Sequence, residues 1–404
     1  MKSQGELEKI PVNIEKAFNE LSERVMKDMV ERLKENGFSG ATADYEYNRL
    51  KILGMADEQI RKYVKETMDL TEDELNKIFS EDAYEEYYGF KRAYDAAGIE
   101  QIPYGDNAEL QQLVEAVRQQ TLEECNNLTQ SMGFASKDPV TGKLNYSKIG
   151  EFYRNTLDDA MYDITTGSFS YNEVLKKTIN KMTMSGLRYI DYESGVHNRV
   201  SVAARRAVMT GFRQVQGKIN EQVARELKTD YYEVSFHVGA RPTHQVWQGK
   251  VYSMEQLIDI CGLGSVTGLH GANCYHDYNA FVPGISTRAY TDEWLQEMAD
   301  KENEPTEYNG RSYTTYEALQ QQRKMETLMR KCREDIELMK LGEADEFDIT
   351  LKKCRYEGTM QEYKRFSEKM KLPEQMDRVY MDGLKGNYLP GKREKEKIKN
   401  KSND

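Results

Sequence analysis

No run of about 18 apolar residues, the length a helix needs to cross a bilayer, occurs in this 404-residue chain. The opening MKSQGELEKIPVN also lacks the apolar core of a secretory signal. Cysteine is scarce: Cys125, Cys261, Cys274, Cys332 and Cys354 are scattered through the chain, and such an odd, irregular set excludes a disulfide framework and fits reduced thiols. These deficits predict a protein made and kept in a cytoplasm-like compartment, with no membrane partner. An excess of positive charge is missing too. The net charge of -11 excludes a protein that coats nucleic acid over its whole surface and leaves only a local basic face open. Gly239, Gly249, Gly262, Gly264, Gly268 and Gly271 crowd one region, but none stands in a strand-to-helix GxGxxG or GxxxxGK[ST] setting, so they read as turn residues. No repeat of solenoid period is present.

What the chain does have is long helical periodicity with little apolar content. The hydrophobic fraction is 38% and 27 of the residues are tyrosines; with a mean hydropathy of -0.81, this predicts narrow apolar stripes on long helices. The fold class expected is mainly α with a small α+β module. An elongated helical N-terminal region should cover 1–228, a compact α+β module 229–290 and a helical C-terminal region 291–380, and the lysine-rich, apolar-poor tail 381–404 is expected to be disordered. Ile14, Phe18, Leu21, Val25, Met29 and Leu33 recur at three and four, which marks one helical face ending near Gly37. A Thr71 to Glu74 capping box is expected to open a helix ending at Gly98, and further helical patterns run over 107–131, 147–163, 172–186 and 197–228. At Tyr231 the period becomes two: Tyr232, Val234, Phe236 and Val238 alternate with a polar face that carries His237. A short strand near GKVYS, a helix opened by a Ser253 to Gln256 capping box, and a strand in NCYHDYNAFVPG complete the module.

The module also collects most of the soft ligands. Only five histidines occur in the chain, and His237, His244, His270 and His276 lie here with Cys261 and Cys274. If NCYHDYNAF is extended, Cys274 and His276 point to one side and Asp277 to the other. Zinc favours four such nitrogen and sulfur ligands, so His244, His270, Cys274 and His276, with His237 as an alternate for His244, form a candidate structural zinc site. The competing reading has these histidines satisfying loop carbonyls. A zinc-dependent hydrolase or nuclease using the same cluster needs a carboxylate base, and Asp277, the close candidate, falls on the wrong side. His270, Asn273 and His276 lie too close together for the hairpin-and-helix layout of a His-Asn-His nuclease. A second feature precedes the module. No acidic residue occurs between Glu193 and Glu221, and Arg199, Arg206 and Arg213 recur every seven residues, which predicts a positive stripe on one helical face able to contact DNA or to pair with acidic helices.

Three ordered segments, HVGARPTHQVWQGKVYS, GLHGANCYHDYNAFVPG and YEALQQQRKMETLMRKCRE, resemble the phage minor capsid protein 2 family, which is related to the Mu F-type head-morphogenesis proteins. The resemblance covers about residues 190 to 380. It implies a structural, low-copy head protein made in the host cytoplasm and carried in the virion near the portal vertex, with the portal protein and other capsid proteins as expected partners; genomic DNA is a further partner that the arginine stripe offers. It brings no catalytic residue set. Related proteins read NCRC where this chain reads NCYH, so His276 replaces a cysteine with another zinc-binding residue type.

Overall fold

The computed structural model describes residues 4–35, 42–137, 141–190, 197–271 and 273–401. After α1 (Gln4–Lys9), α2 spans Val12–Glu35, and the six apolar residues spaced at three and four along it are all buried. The third helix, α3 (Thr42–Lys77), runs through Thr71. The Thr71 to Glu74 box therefore starts no helix: Thr71 is buried within one, because a local capping pattern does not interrupt a chain whose backbone hydrogen bonds already continue on both sides. A π-turn at Ile78–Asp82, α4 (Ala83–Tyr88) and α5 (Lys91–Ala97) follow, and Gly98 ends α5 in the left-handed region with φ 69°. The expected helical segments are α6 (Ala108–Gln130), α7 (Ile149–Thr165), α8 (Tyr171–Ser185) and α9 (Val200–Glu226).

Between these helices lie strands that periodicity does not announce. β1 (Met132–Lys137), β2 (Leu144–Lys148), β3 (Arg188–Ile190) and β4 (His197–Arg199) form an antiparallel sheet in the order β2-β1-β3-β4. β3 and β4 are too short to display an alternation. Gly133 in β1 is required by close approach, since a Cβ there would collide with the Ser147 carbonyl.

The α+β module consists of β5 (Tyr231–Val234), the one-turn α10 (Pro242–Gln245), β6 (Val251–Ser253), α11 (Met254–Asp259) and β7 (Tyr278–Phe281). Its antiparallel sheet has the order β6-β5-β7, with Tyr232 opposite Tyr252 and Ala280. The Ser253–Gln256 capping box forms as its sequence requires. Both site-bearing strands are shorter than the alternation suggests: β5 stops at Val234, and residues 274–277 precede β7. Beneath the sheet, Val234, Trp247, Leu257, Leu269, Cys274 and Tyr278 share one buried apolar cluster.

Then come α12 (Asp292–Asn303) and a hairpin of β8 (Thr306–Tyr308) and β9 (Arg311–Tyr313), whose turn residues Asn309 and Gly310 both take positive φ, the backbone an Asn-Gly pair favours. Helices α13 (Thr315–Leu341), α14 (Glu346–Lys369), α15 (Met376–Tyr380) and α16 (Lys392–Lys401) complete the described chain. Residues 381–401 of the tail depart from the expected disorder, and 402–404 lie outside the described residues. Asp382, Leu384 and Tyr388 are buried, and the lysine-rich α16 lies along α14 through Lys353–Glu394 at 2.7 Å and Lys395–Glu357 at 2.6 Å. Composition counts these charges but not the partners they meet.

Contacts divide the chain into two compact units, each built from three stretches: 1–14, 71–125 and 204–320 in the first, and 15–70, 126–203 and 321–404 in the second. The consecutive segments expected from composition are cut differently because the unit boundaries fall inside α2, α3, α6, α9 and α13. Residues 229–290 lie wholly within the first unit. Among the described residues, no helix is long and apolar enough to cross a membrane.

Candidate metal centre

The first ligand is positioned by a proline. Pro242 opens α10 at its first turn, where its fixed φ is already helical and no N–H is lost. The backbone N–H of His244 donates to the Arg241 carbonyl at 2.7 Å, and the His244 ring lies against Trp247 with centroids 4.5 Å apart. The other two ligands come from the segment after the glycine-rich loop. This loop folds back on itself: Leu269 N–H donates to Cys261 O at 2.8 Å and Cys274 N–H to Gly271 O at 3.1 Å. Gly268 must be glycine because a Cβ there would collide with the Gly262 carbonyl.

The result is a buried triangle. His244 Nδ1 lies 3.4 Å from His276 Nδ1, and Cys274 Sγ lies 3.8 Å from the first and 3.6 Å from the second. His244, Cys274 and His276 are all buried, with ligand atoms within 4.8 Å of one another. The ring nitrogens on the far side determine the tautomers. His244 Nε2 faces the Thr267 carbonyl at 2.9 Å, and a carbonyl only accepts, so Nε2 carries the proton. His276 Nε2 faces Gln248 Oε1 at 2.8 Å; that atom also accepts the His237 backbone N–H at 3.0 Å, which identifies it as the amide oxygen. Both Nδ1 lone pairs therefore turn inward, toward the Cys274 sulfur.

Electrostatics keep both rings neutral. Burial, then His237 and His244, hold His276 well below the usual imidazole range, and burial lowers His244 as well. Burial also raises the Cys274 thiol, while Arg213 and the backbone N–H groups of His276 and His270 oppose it. The triangle offers two imidazole lone pairs and one sulfur, a donor set suited to a borderline or soft divalent cation.

The structure brings together three of the expected ligands and leaves two outside. His270, with φ 60°, turns away to place Nε2 3.1 Å from Asp277 Oδ1, and its ring packs on Tyr278. His237 sits beside His276, centroids 4.8 Å apart, but its Nε2 meets Ser235 Oγ at 3.0 Å. Ser235 Oγ already accepts the Asp277 N–H, so its own proton is free to go to His237. Burial lowers the His237 pKa to about 4. Asp277 points away from the triangle, as alternation requires, and its Oδ1 lies 3.8 Å from Arg213 Nη1. No carboxylate among the described residues joins the His244–Cys274–His276 group. Sequence reasoning missed Gln248 and the Thr267 carbonyl, which orient the two rings. The one available signal was the four-residue spacing of His244 and Gln248, a helical turn that carries a Gln248 N–H to His244 O bond of 3.1 Å.

The arginines do not form one solvent-facing stripe. Arg199 belongs to β4, before α9 begins, and its Nη1 lies 3.3 Å from Glu334 Oε1. Arg213 is only 3% exposed and donates to Gln216 Oε1 at 2.9 Å. Arg206 is part-buried and lines a cleft of about 990 Å³ with Leu113, Met209, Arg213, Val266 and Tyr275.

The family model described as phage minor capsid protein 2 matches residues 3–366, extending the resemblance read at 190–380 through the N-terminal helices. No curated protein and no solved structure matches.

Proposed function

Because the chain belongs to the phage minor capsid protein 2 family, we propose that this minor capsid protein takes its place in the phage head at the portal vertex, where it acts structurally during head assembly. The observation that carries this reading is the family match over 3–366. The surface of the α+β module adds support for a protein partner: Val246 and Val266, on the loops flanking the His and Cys residues, are 66% and 77% exposed, and exposed aliphatic side chains are suited to burial against another subunit.

A structural role is favoured over hydrolysis by the position of Asp277. A zinc hydrolase or nuclease needs a base beside the metal-bound water, and Asp277 is engaged with His270 and faces Arg213. Contact with packaged DNA is the finer part of the proposal and rests on Arg206, since Arg199 is paired and Arg213 is buried.

The test is co-purification with the portal subunit of the same phage, alongside complementation of a phage lacking the gene. The unmodified chain should co-purify and restore infectious particles, and Val246→Lys with Val266→Lys should weaken capture without loss of helicity. Infectious particles formed without the protein would sink the assembly role. Failure to associate with the portal, in a chain that still enters heads, would remove the portal placement alone.

A further inference from the structure

We propose that His244 Nδ1, Cys274 Sγ and His276 Nδ1 bind one zinc ion, which clamps the α10 turn to the segment leading into β7. The distances carry the assignment. Zinc bonds of about 2.05 Å to nitrogen and about 2.3 Å to sulfur, set at tetrahedral angles, give ligand-to-ligand edges of about 3.3 Å for two nitrogens and about 3.6 Å for nitrogen and sulfur. The triangle has edges of 3.4, 3.6 and 3.8 Å. Ordinary hydrogen bonding does not account for it, because with both protons held at Nε2 by Gln248 and Thr267 two acceptor lone pairs face each other across 3.4 Å. The single thiol proton serves at most one of them.

A divalent ion resolves the conflict. It accepts both lone pairs, displaces the Cys274 proton to solvent and leaves a thiolate bound to the metal. The Gln248 and Thr267 oxygens then act as the outer partners that orient metal-bound histidines, and Trp247 covers both rings, 4.5 Å from His244 and 4.8 Å from His276. A thiolate with two imidazoles selects zinc over magnesium or calcium, which require oxygen ligands. Three protein ligands leave one position for water. With no carboxylate in the group, the ion holds two loops together beside the module's apolar cluster. This assignment is independent of where the protein sits in the particle, so it stands or falls separately from the portal placement.

The test uses the full chain purified without chelator. Elemental analysis should find about one zinc per chain. Replacing zinc with cobalt should produce a thiolate-to-cobalt charge-transfer band that disappears in Cys274→Ala and persists in Cys261→Ala and His270→Ala, the last two removing neighbours that are not ligands. Chelation should lower Tm by several degrees, and added zinc should restore it. Should Cys274→Ala fail to fold, cobalt titration of the unmodified chain still decides: saturation at one equivalent with the thiolate band supports the site. A well-folded chain with neither stoichiometric zinc nor a thiolate band overturns it, as does full zinc content in a folded Cys274→Ala protein.

Discussion

Two buried clusters, one in each unit, handle polarity differently. In the second, charges are matched by charges: Arg333 donates to both oxygens of Asp382 at 2.7 and 3.1 Å and to the Leu384 carbonyl, while Asp335 receives Lys331, Lys352 and the Thr183 hydroxyl. These networks close within the chain. In the first unit, His244 and His276 turn lone pairs toward each other and toward Cys274, and Asp277 Oδ2 and Arg213 Nε and Nη2 have no hydrogen-bond partner. Buried polar groups are nearly always satisfied. Of these open groups, the lone pairs of His244 and His276 are the ones the proposed zinc would satisfy.

The largest effect should come from breaking a closed network. Arg333→Ala leaves Asp382 buried without its cation and should cost about 3–5 kcal/mol, read as a lower urea midpoint by far-UV circular dichroism with zinc content unchanged; an unaltered midpoint would show that the pair adds nothing. Metal removal comes next. At free zinc roughly a hundredfold above Kd, chelation should cost about 2.7 kcal/mol. Both tryptophans, Trp247 and Trp294, lie in the first unit, so their fluorescence reports that loss directly, and a chelator-insensitive fluorescence melt would count against the clamp.

Arg213→Gln removes the guanidinium facing buried Asp277 and should destabilise the chain by about 2 kcal/mol. Thermal melts together with zinc analysis would separate this from metal loss, which is not expected. Gly217→Ala places a Cβ 2.9 Å from Tyr278 Oη, an overpacking that should cost about 1 kcal/mol; a stabilised variant would mean that Tyr278 shifts freely. The smallest change is expected for Arg206→Gln, with stability within about 0.5 kcal/mol and a DNA-binding salt slope reduced by about 1. An unchanged slope would remove Arg206 from the proposed DNA contact.

The comparison also shows what was legible before folding. The buried stripe of α2 and the capping box of α11 depend on neighbours three or four residues apart, so spacing alone revealed them. The side-chain parity that put Cys274 and His276 together and Asp277 opposite survived although the segment precedes β7 and belongs to no strand. The membership of the His244–Cys274–His276 triangle was not legible in full, because His270 turns away at a left-handed residue and His237 is claimed by Ser235. The four-stranded sheet was not legible either, since β3 and β4 have three residues each and β3 is placed by pairing with β1, more than fifty residues earlier.

By itself, then, the sequence determined most of the long helices, the place of the α+β module and the residue types available for a metal, since each depends on local periodicity and side-chain chemistry. Only the tertiary structure decided which nitrogen of each histidine faces inward, that Arg199 is paired and Arg213 buried, and that the lysine-rich tail folds onto α14. Those outcomes depend on partners distant in sequence: Gln248 and Thr267 orient the rings of His276 and His244, and Glu334, Asp277 and Glu357 lie against Arg199, Arg213 and Lys395. A charge or a lone pair acquires its role from the group it meets, and chain folding sets that meeting.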